Sequence, residues 1–267
     1  MIAVRRAEAR HLSRLGKTEV WHTFSPEDRT DALADGFGSL EVFDEDRVAP
    51  GARVPGHVHL DVEIVTYVCE GGLAYQDSMG RSGVIRAGEF QRITAGRGIH
   101  CRERNASRAD WAHVFQLWLR PAERGLAPGH EVKRFSAAQR RGWLCLVASP
   151  DARRGSLRIH QDALLYSAML DPGQHVAHEL GQGRSAWLHL VRGEATLGEL
   201  VLTTGDGAGV TAERAVSLTA MEETELLFLD LGERQSSTKE VPDDQPTMPR
   251  SGCRAVPASR NRCIGRA

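Results

Sequence analysis

Short runs rich in aliphatic, β-branched and aromatic residues recur along this chain, and long helical periodicity is scarce. The runs at 40–48 (LEVFDEDRV), 62–68 (VEIVTYV), 112–119 (AHVFQLWL), 143–148 (WLCLVA), 157–170 (LRIHQDALLYSAML), 186–193 (AWLHLVRG) and 225–231 (ELLFLDL) are separated by Gly, Pro and Asp. Such runs read as strands, because alternate side chains of an extended segment line one face, and turn residues close neighbouring strands on each other. A chain of many short strands buries its apolar faces in a β-sandwich or barrel. At 267 residues it has room for one large domain or two of about 120 residues each.

The punctuation repeats. In the first half Pro50-Gly51 leads to His57, a strand, Glu70-Gly71, a further strand and then Ala87-Gly88-Glu89 and Ala95-Gly96. In the second half Pro172-Gly173 leads to His178, the 186–191 run, Arg192-Gly193-Glu194 and Thr204-Gly205-Asp206. Both read as strand, Gly turn, strand, Gly-acid turn, strand, which predicts two similar barrels in tandem. The segment 234–267 is rich in Ser, Pro, Arg and Asp with little to bury, and predicts a disordered tail holding Cys253 and Cys263.

Charge narrows the function classes. Lys and Arg total 34 against 35 Asp and Glu, a net −1. That balance gives no basic footprint for direct nucleic-acid binding. No apolar run approaches the roughly 18 residues that span a membrane, and the N-terminal sequence predicts no signal peptide. Five cysteines at irregular spacing, without a CxxC, suit the reducing cytoplasm better than a disulfide framework. There is no GxGxxG, P-loop or GxSxG signature.

Chemistry gathers at 53–72 (RVPGHVHLDVEIVTYVCEGG). On a strand His57 and His59 point to the same side, so two imidazoles can reach one metal from a rigid backbone. The same HxH pair also fits two solvent-facing histidines. Downstream, 94–105 (TAGRGIHCRERN) runs from a Gly-rich turn into a strand on which Cys101 and Glu103 share one face and His100 and Arg102 the other. Two antiparallel strands could then set His57 and His59 against Cys101 and Glu103. Mixed N/O ligation with open positions suits non-haem iron or another first-row divalent metal.

The layout GxxxxxHxH at 51–59, DxE at 61–63, EGGLAYQDSMG at 70–80, AGEFQ at 87–91 and TAGRGI at 94–99 resembles the pirin family of bicupins. EVWHTFS at 19–25, GFGSLEVFDED at 36–46, HVFQLWLRP at 113–121 and 148–170 extend the resemblance over about residues 2–231. It implies an all-β fold of two cupin barrels: a metal-binding barrel at 1–130, a degenerate barrel at 131–233, and the tail at 234–267. It also implies one metal in the first barrel, usually iron, held by three histidines and a glutamate. The implied activity is cleavage of a flavonol such as quercetin by dioxygen with release of carbon monoxide. The alternative is a regulator, responsive to metal or redox state, that binds a transcription factor or a metabolic enzyme.

Carried over residue by residue, the family ligands fall on His57, His59 and Glu103, and the third histidine falls on Cys101. Three readings of that departure stand: a thiolate ligand at Cys101, a bulge that turns His100 inward, or a site that holds metal weakly or not at all. Glu63 is expected to orient a histidine ring by hydrogen bond. Glu103 or Glu63 would take the substrate proton in a flavonol-cleaving enzyme loaded with Fe(II). His175 and His178 read as surface histidines, His22, His113 and His160 as structural ones, and Trp111, Trp118, Trp143 and Trp187 as packing.

Overall fold

In the computed structural model, which describes residues 1–26 and 30–233, the chain forms two halves with the same strand circuit. In the first, a seven-stranded sheet runs in the order Gly129–Arg134, Glu89–Thr94, Glu63–Glu70, Ala112–Leu119, Leu40–Val48, Thr18–His22, His11–Leu15. It faces a four-stranded sheet ordered Arg53–His59, Ile99–Asn105, Gly72–Asp77, Ser82–Arg86. The second half repeats the plan. Gly207–Val210, Ser185–Arg192, Thr224–Leu231 and Ala163–Leu170 lie side by side in the large sheet, and His175–Glu179, Ala215–Ala220, Glu194–Leu197 and Leu200–Thr203 make the small one. The tandem all-β expectation holds. The expected tail at 234–267, with Cys253 and Cys263, lies outside the described residues. Among the described residues no helix is long and apolar enough to cross a membrane.

The repeated punctuation has a steric cause. Gly71 and Gly193 end the corresponding strands of the two halves with φ of 72° and 94°. A Cβ on Gly71 would lie 2.5 Å from the Trp111 carbonyl oxygen, and one on Gly193 would lie 2.5 Å from that of Glu223. The left-handed backbone and the close strand crossing both demand glycine there.

The halves exchange edges. Ile2–Arg5 pairs antiparallel with Gly207–Val210 of the second half. The expected boundary at residue 130 falls inside Gly129–Arg134, which pairs with Glu89–Thr94 of the first. Between the large sheets lies a core that draws on both halves, with Phe43, Tyr67, Phe90, Phe115, Trp187 and Leu229 among its members. The central strands are therefore buried on both faces: every residue of Thr224–Leu231 is buried. This is why their sequences read as nearly unbroken apolar runs rather than as alternation. Trp187 is fully buried and packs on Phe24 and Phe37. Trp111 and Trp143, expected as packing, are instead exposed.

Two polar clusters sit in this interface. A capping box of Ser136 and Gln139 starts the one described α-helix, Ala137–Arg140, whose last residue turns inward. Arg140 donates to Glu225 at 2.7 Å, to Tyr67 Oη at 2.9 Å and to Ser167 Oγ at 3.2 Å. In the second cluster Glu45 receives Arg10 and His113, each at 2.7 Å. Burial alone would raise the Glu45 pKa. The bond to His113 and the charge of Arg10 override it and bring the pKa from 4.5 to about 2. A carboxylate with a depressed folded pKa contributes stability that is present above its unfolded value and is lost as pH falls through the folded one. Glu45 should therefore contribute on the order of 3 kcal/mol above pH 4.5, lost between pH 4.5 and 2. Denaturant titrations across that window should show Glu45→Gln less stable than wild type at neutral pH, with the difference vanishing in acid.

Candidate metal centre

The inner face of the first barrel brings two short strands together. In the antiparallel pairing of Arg53–His59 with Ile99–Asn105, His57 lies opposite Cys101, His59 opposite Ile99 and Val54 opposite Glu103. The register shifts between Cys101 and Glu103. Pro55 and Gly56 together face Arg102, and an extra residue in one strand is a β-bulge. Proline and glycine are the residues a bulge accommodates, since proline offers no ladder N–H.

The two imidazoles stand edge to face, with centroids 4.3 Å apart and planes at 89°. His59 also meets the Trp118 ring edge-on at 4.8 Å. His57 Nδ1 lies 2.9 Å from the Pro55 carbonyl oxygen. A carbonyl only accepts, so Nδ1 is the donor and Nε2 is the ring nitrogen left to face a ligand. His59 is buried. Desolvation, helped by the neighbouring His57, pulls its pKa down to about 3 and keeps the ring neutral.

Glu103 is buried and accepts a 3.2 Å hydrogen bond from Gln116 Nε2. Trp118 Nε1 donates to the same glutamine at 3.4 Å. Burial raises the Glu103 pKa, against the lowering pull of His57 and of Gln116. Among the described residues no Lys or Arg lies within ion-pair distance of it, nor of Asp46 on Leu40–Val48 of the facing sheet. Asp46 has its pKa raised well above normal by burial, then by Asp44, Glu103 and Glu45. The barrel thus buries two carboxyls without a Lys or Arg beside them, so ionising them is costly alone and eased by a bound cation.

Among the described residues no three His, Cys, Asp or Glu side chains are gathered into a ready-made metal cage. The donor chemistry nonetheless fits a divalent ion. Two imidazoles stand on one strand, and a buried carboxylate without a Lys or Arg partner among the described residues stands on its antiparallel neighbour. Cys101 faces the same interior, packed against Ile99, Ile64 and Ile93. Its thiol is pushed up to about 12, by burial first and then by Glu103 and Asp77.

Other residues named from the sequence fall elsewhere. His100 sits on the outer face opposite Val58, accepting no inward turn from the bulge, which lies in the partner strand. A Cβ on Gly56 would lie 3.0 Å from its Nε2. Glu63 is fully buried but faces the second half. There it accepts from Thr94 Oγ1 at 3.2 Å and from the His160 backbone N–H at 3.3 Å. Its Oε1 is within 3.3 Å of His160 Nδ1 without making a hydrogen bond. The histidine it touches is His160, and no hydrogen bond joins it to His57 or His59. His22 and His113 are satisfied structurally, by Ser13 and Asp44 and by Glu45. His175 is exposed, whereas His178 is part-buried and bonded to Asp230 at 2.7 Å rather than lying free on the surface. Arg97, Arg102 and Arg104 are exposed.

Sequence reasoning missed Thr66, Gln91 and Gln116, all buried, and with them Tyr75 and His130. The available signal was the glutamine inside the apolar run at 112–119 (AHVFQLWL); 89–94 (EFQRIT), already rich in polar residues, gave none for Gln91. A polar side chain at a core position calls for a partner or a function.

Comparison with known proteins agrees with this architecture. Residues 5–119 match the Pirin family and residues 146–231 match the family described as the quercetinase C-terminal cupin domain. A protein named quercetin 2,3-dioxygenase from Escherichia coli is 39% identical over 231 residues, covering 86% of this chain and 99% of that protein. A pirin-like protein from Caulobacter vibrioides is 34% identical over 212 residues, covering 78% of this chain and 90% of that one. The crystal structure of the bacterial pirin YhhW from Escherichia coli in complex with nickel(II) superimposes with a TM-score of 0.82 at 38% identity, covering 87% of this chain and 100% of that one.

Proposed function

Because the chain belongs to the pirin family, we propose that it is a metal-dependent dioxygenase of the quercetin 2,3-dioxygenase type, acting on flavonol-like substrates. The observation that carries this reading is the edge-to-face pair His57 and His59 beside a buried carboxylate that has no Lys or Arg within ion-pair distance among the described residues. In this reading His57, His59 and Glu103 hold one divalent ion in the first barrel, with Cys101 at the fourth corner. Mixed nitrogen and oxygen donors favour Fe(II), with other first-row metals as competitors. When bound, the ion supplies Lewis acidity toward a substrate hydroxyl and reactivity toward dioxygen.

The protein's own residues bind, orient and move the proton. Ile64, Ile93, Ile99 and the Trp118 ring form an apolar wall that shields the site from water and suits a planar aromatic substrate. Glu103 is the carboxylate placed to take the substrate hydroxyl proton, and burial makes it the stronger base. Gln116 fixes its Oε2. Glu63 has no part in this step, since it faces the second half. The free thiols of Cys69, Cys101 and Cys145 suit a reducing compartment such as the cytoplasm.

Oxygen uptake with quercetin, measured on protein loaded in turn with Fe(II), Ni(II), Mn(II) and Co(II), tests the activity. Turnover with at least one metal is expected, and none with any would sink it. The ligand set is tested by metal content. A thiol near pKa 12 must lose its proton to ligate, so Cys101→His is expected to raise affinity at pH 7 roughly tenfold or more. Full metal in Cys101→Ala together with loss in His100→Ala would overturn the Cys101 assignment.

A further inference from the structure

Six polar side chains form a closed belt around the inside of the first barrel. Gln116 pairs across strands with Thr66, and Thr66 with Gln91. Gln91 Nε2 lies 2.8 Å from His130 Nε2, and the His130 ring lies 4.8 Å from that of Tyr75. Tyr75 pairs across strands with Glu103, which accepts from Gln116 and closes the circuit. Apolar layers lie on both sides: Leu73, Ile85 and Val114 on one, Ile64, Ile93 and Ile99 on the other. Packing alone would fill this middle layer with apolar side chains, so a polar layer there is a departure that function explains.

The far arc of the belt carries unused hydrogen-bonding capacity. Gln91 is fully buried, yet its Oε1 has no partner. Exchanging the amide's O and N would only move the vacancy to the other end. No hydrogen bond is made by Tyr75 Oη among the described residues, and its place is kept open by Gly83, where a Cβ would lie 2.8 Å away. Tyr75 and His130 are half-buried, so the arc reaches toward the barrel's edge.

From these observations we propose that Tyr75 and His130, backed by Gln91, form a specificity subsite that binds the hydroxyls of the substrate's pendant aromatic ring. The distance suits that ring. Tyr75 is one strand from Glu103, a spacing of about 5 Å, and His130 is one ring contact further. A substrate whose reacting hydroxyl meets Glu103 therefore lays a single ring against this arc, with its hydroxyls at the phenol, the imidazole and the free amide end. A site built to bond a hydroxyl discriminates against the analogue that lacks it, because its own buried groups then go unpaired. The subsite rests on the flavonol reading given above.

Quercetin, with two hydroxyls on the pendant ring, and galangin, the same flavonol without them, are the probes. Binding to the metal-loaded protein under anaerobic conditions, read by calorimetry, separates affinity from turnover. Wild type should bind quercetin about tenfold or more tighter than galangin. His130→Phe and Tyr75→Phe should each erase most of that preference by weakening quercetin binding, while the affinity for galangin, which lacks the hydroxyls, changes far less. Melting curves confirm that the variants fold. Equal binding of the two flavonols by wild type, or an unchanged preference in both variants, would overturn the subsite. If both flavonols bind with the expected preference but neither supports oxygen uptake, the dioxygenase reading falls while the subsite stands. If neither binds, both fall.

Discussion

Glu103→Gln should strip the metal from the first barrel and at the same time stabilise the metal-free protein. The two effects have one origin. Glu103 is buried, accepts one hydrogen bond and has no protein cation beside it. Glutamine keeps the shape and the bond from Gln116 with an amide oxygen, and removes a charge that costs free energy to desolvate. The gain expected in the metal-free state is about 1–3 kcal/mol, the usual penalty for an inadequately compensated buried polar group. The loss on the other side is larger. Without the carboxylate, bound metal should fall below about a tenth of an equivalent and oxygen uptake with quercetin should drop by roughly a hundredfold or more. Elemental analysis and denaturant unfolding of the chelated protein check the two halves of the result. A variant that keeps its metal, or that unfolds more easily than chelated wild type, would refute the account. Function here is set against stability, as is common where a site holds groups that packing alone would reject.

Arg140→Ala should be the most destabilising single change in the interface between the halves. It removes the buried cation from Glu225, which keeps only the hydrogen bond donated by Tyr67 Oη and a 3.7 Å approach of the exposed Arg192. Breaking a buried ion pair by removing one partner costs about 3–5 kcal/mol. A fold of this size has a total stability of about 5–15 kcal/mol, so the melting temperature should fall by roughly 10 °C or more. The double change Arg140→Met with Glu225→Leu should recover most of the loss, because no charge is then left buried alone. Scanning calorimetry of the single and double variants measures the coupling directly. Metal content should be unaffected in both, since none of these residues belongs to the first barrel's interior.

The strands and the two-barrel plan were legible because their causes are local. Gly71 and Gly193 mark equivalent turns, and His57 and His59 must share a face on any extended segment. Side-chain parity within a strand is equally plain in sequence, but the identity of the face is not. Glu63 is buried like the site residues, yet its strand is covered on both sides, and only the tertiary arrangement decides that it meets His160 instead of the metal donors. The same ambiguity hid Gln91 and Gln116. In a half-exposed strand an inward glutamine breaks the alternation and draws notice; in a strand buried on both faces there is no alternation to break. A bulge that would turn His100 inward is one reading of 99–103, but the bulge falls at Pro55-Gly56 on the paired strand, where proline and glycine accommodate it.

The edge exchange has a consequence for how the protein is born. Ile2–Arg5 is made some 200 residues ahead of its partner, Gly207–Val210. At about 5–20 residues per second the opening strand waits on the order of tens of seconds for its place in a sheet. The first barrel can gather its own strands meanwhile, through shorter loops that close sooner. That pairing is therefore a late clasp, joining segments made far apart in time, and until it closes Gly207–Val210 presents a bare sheet edge to its neighbours in the cell.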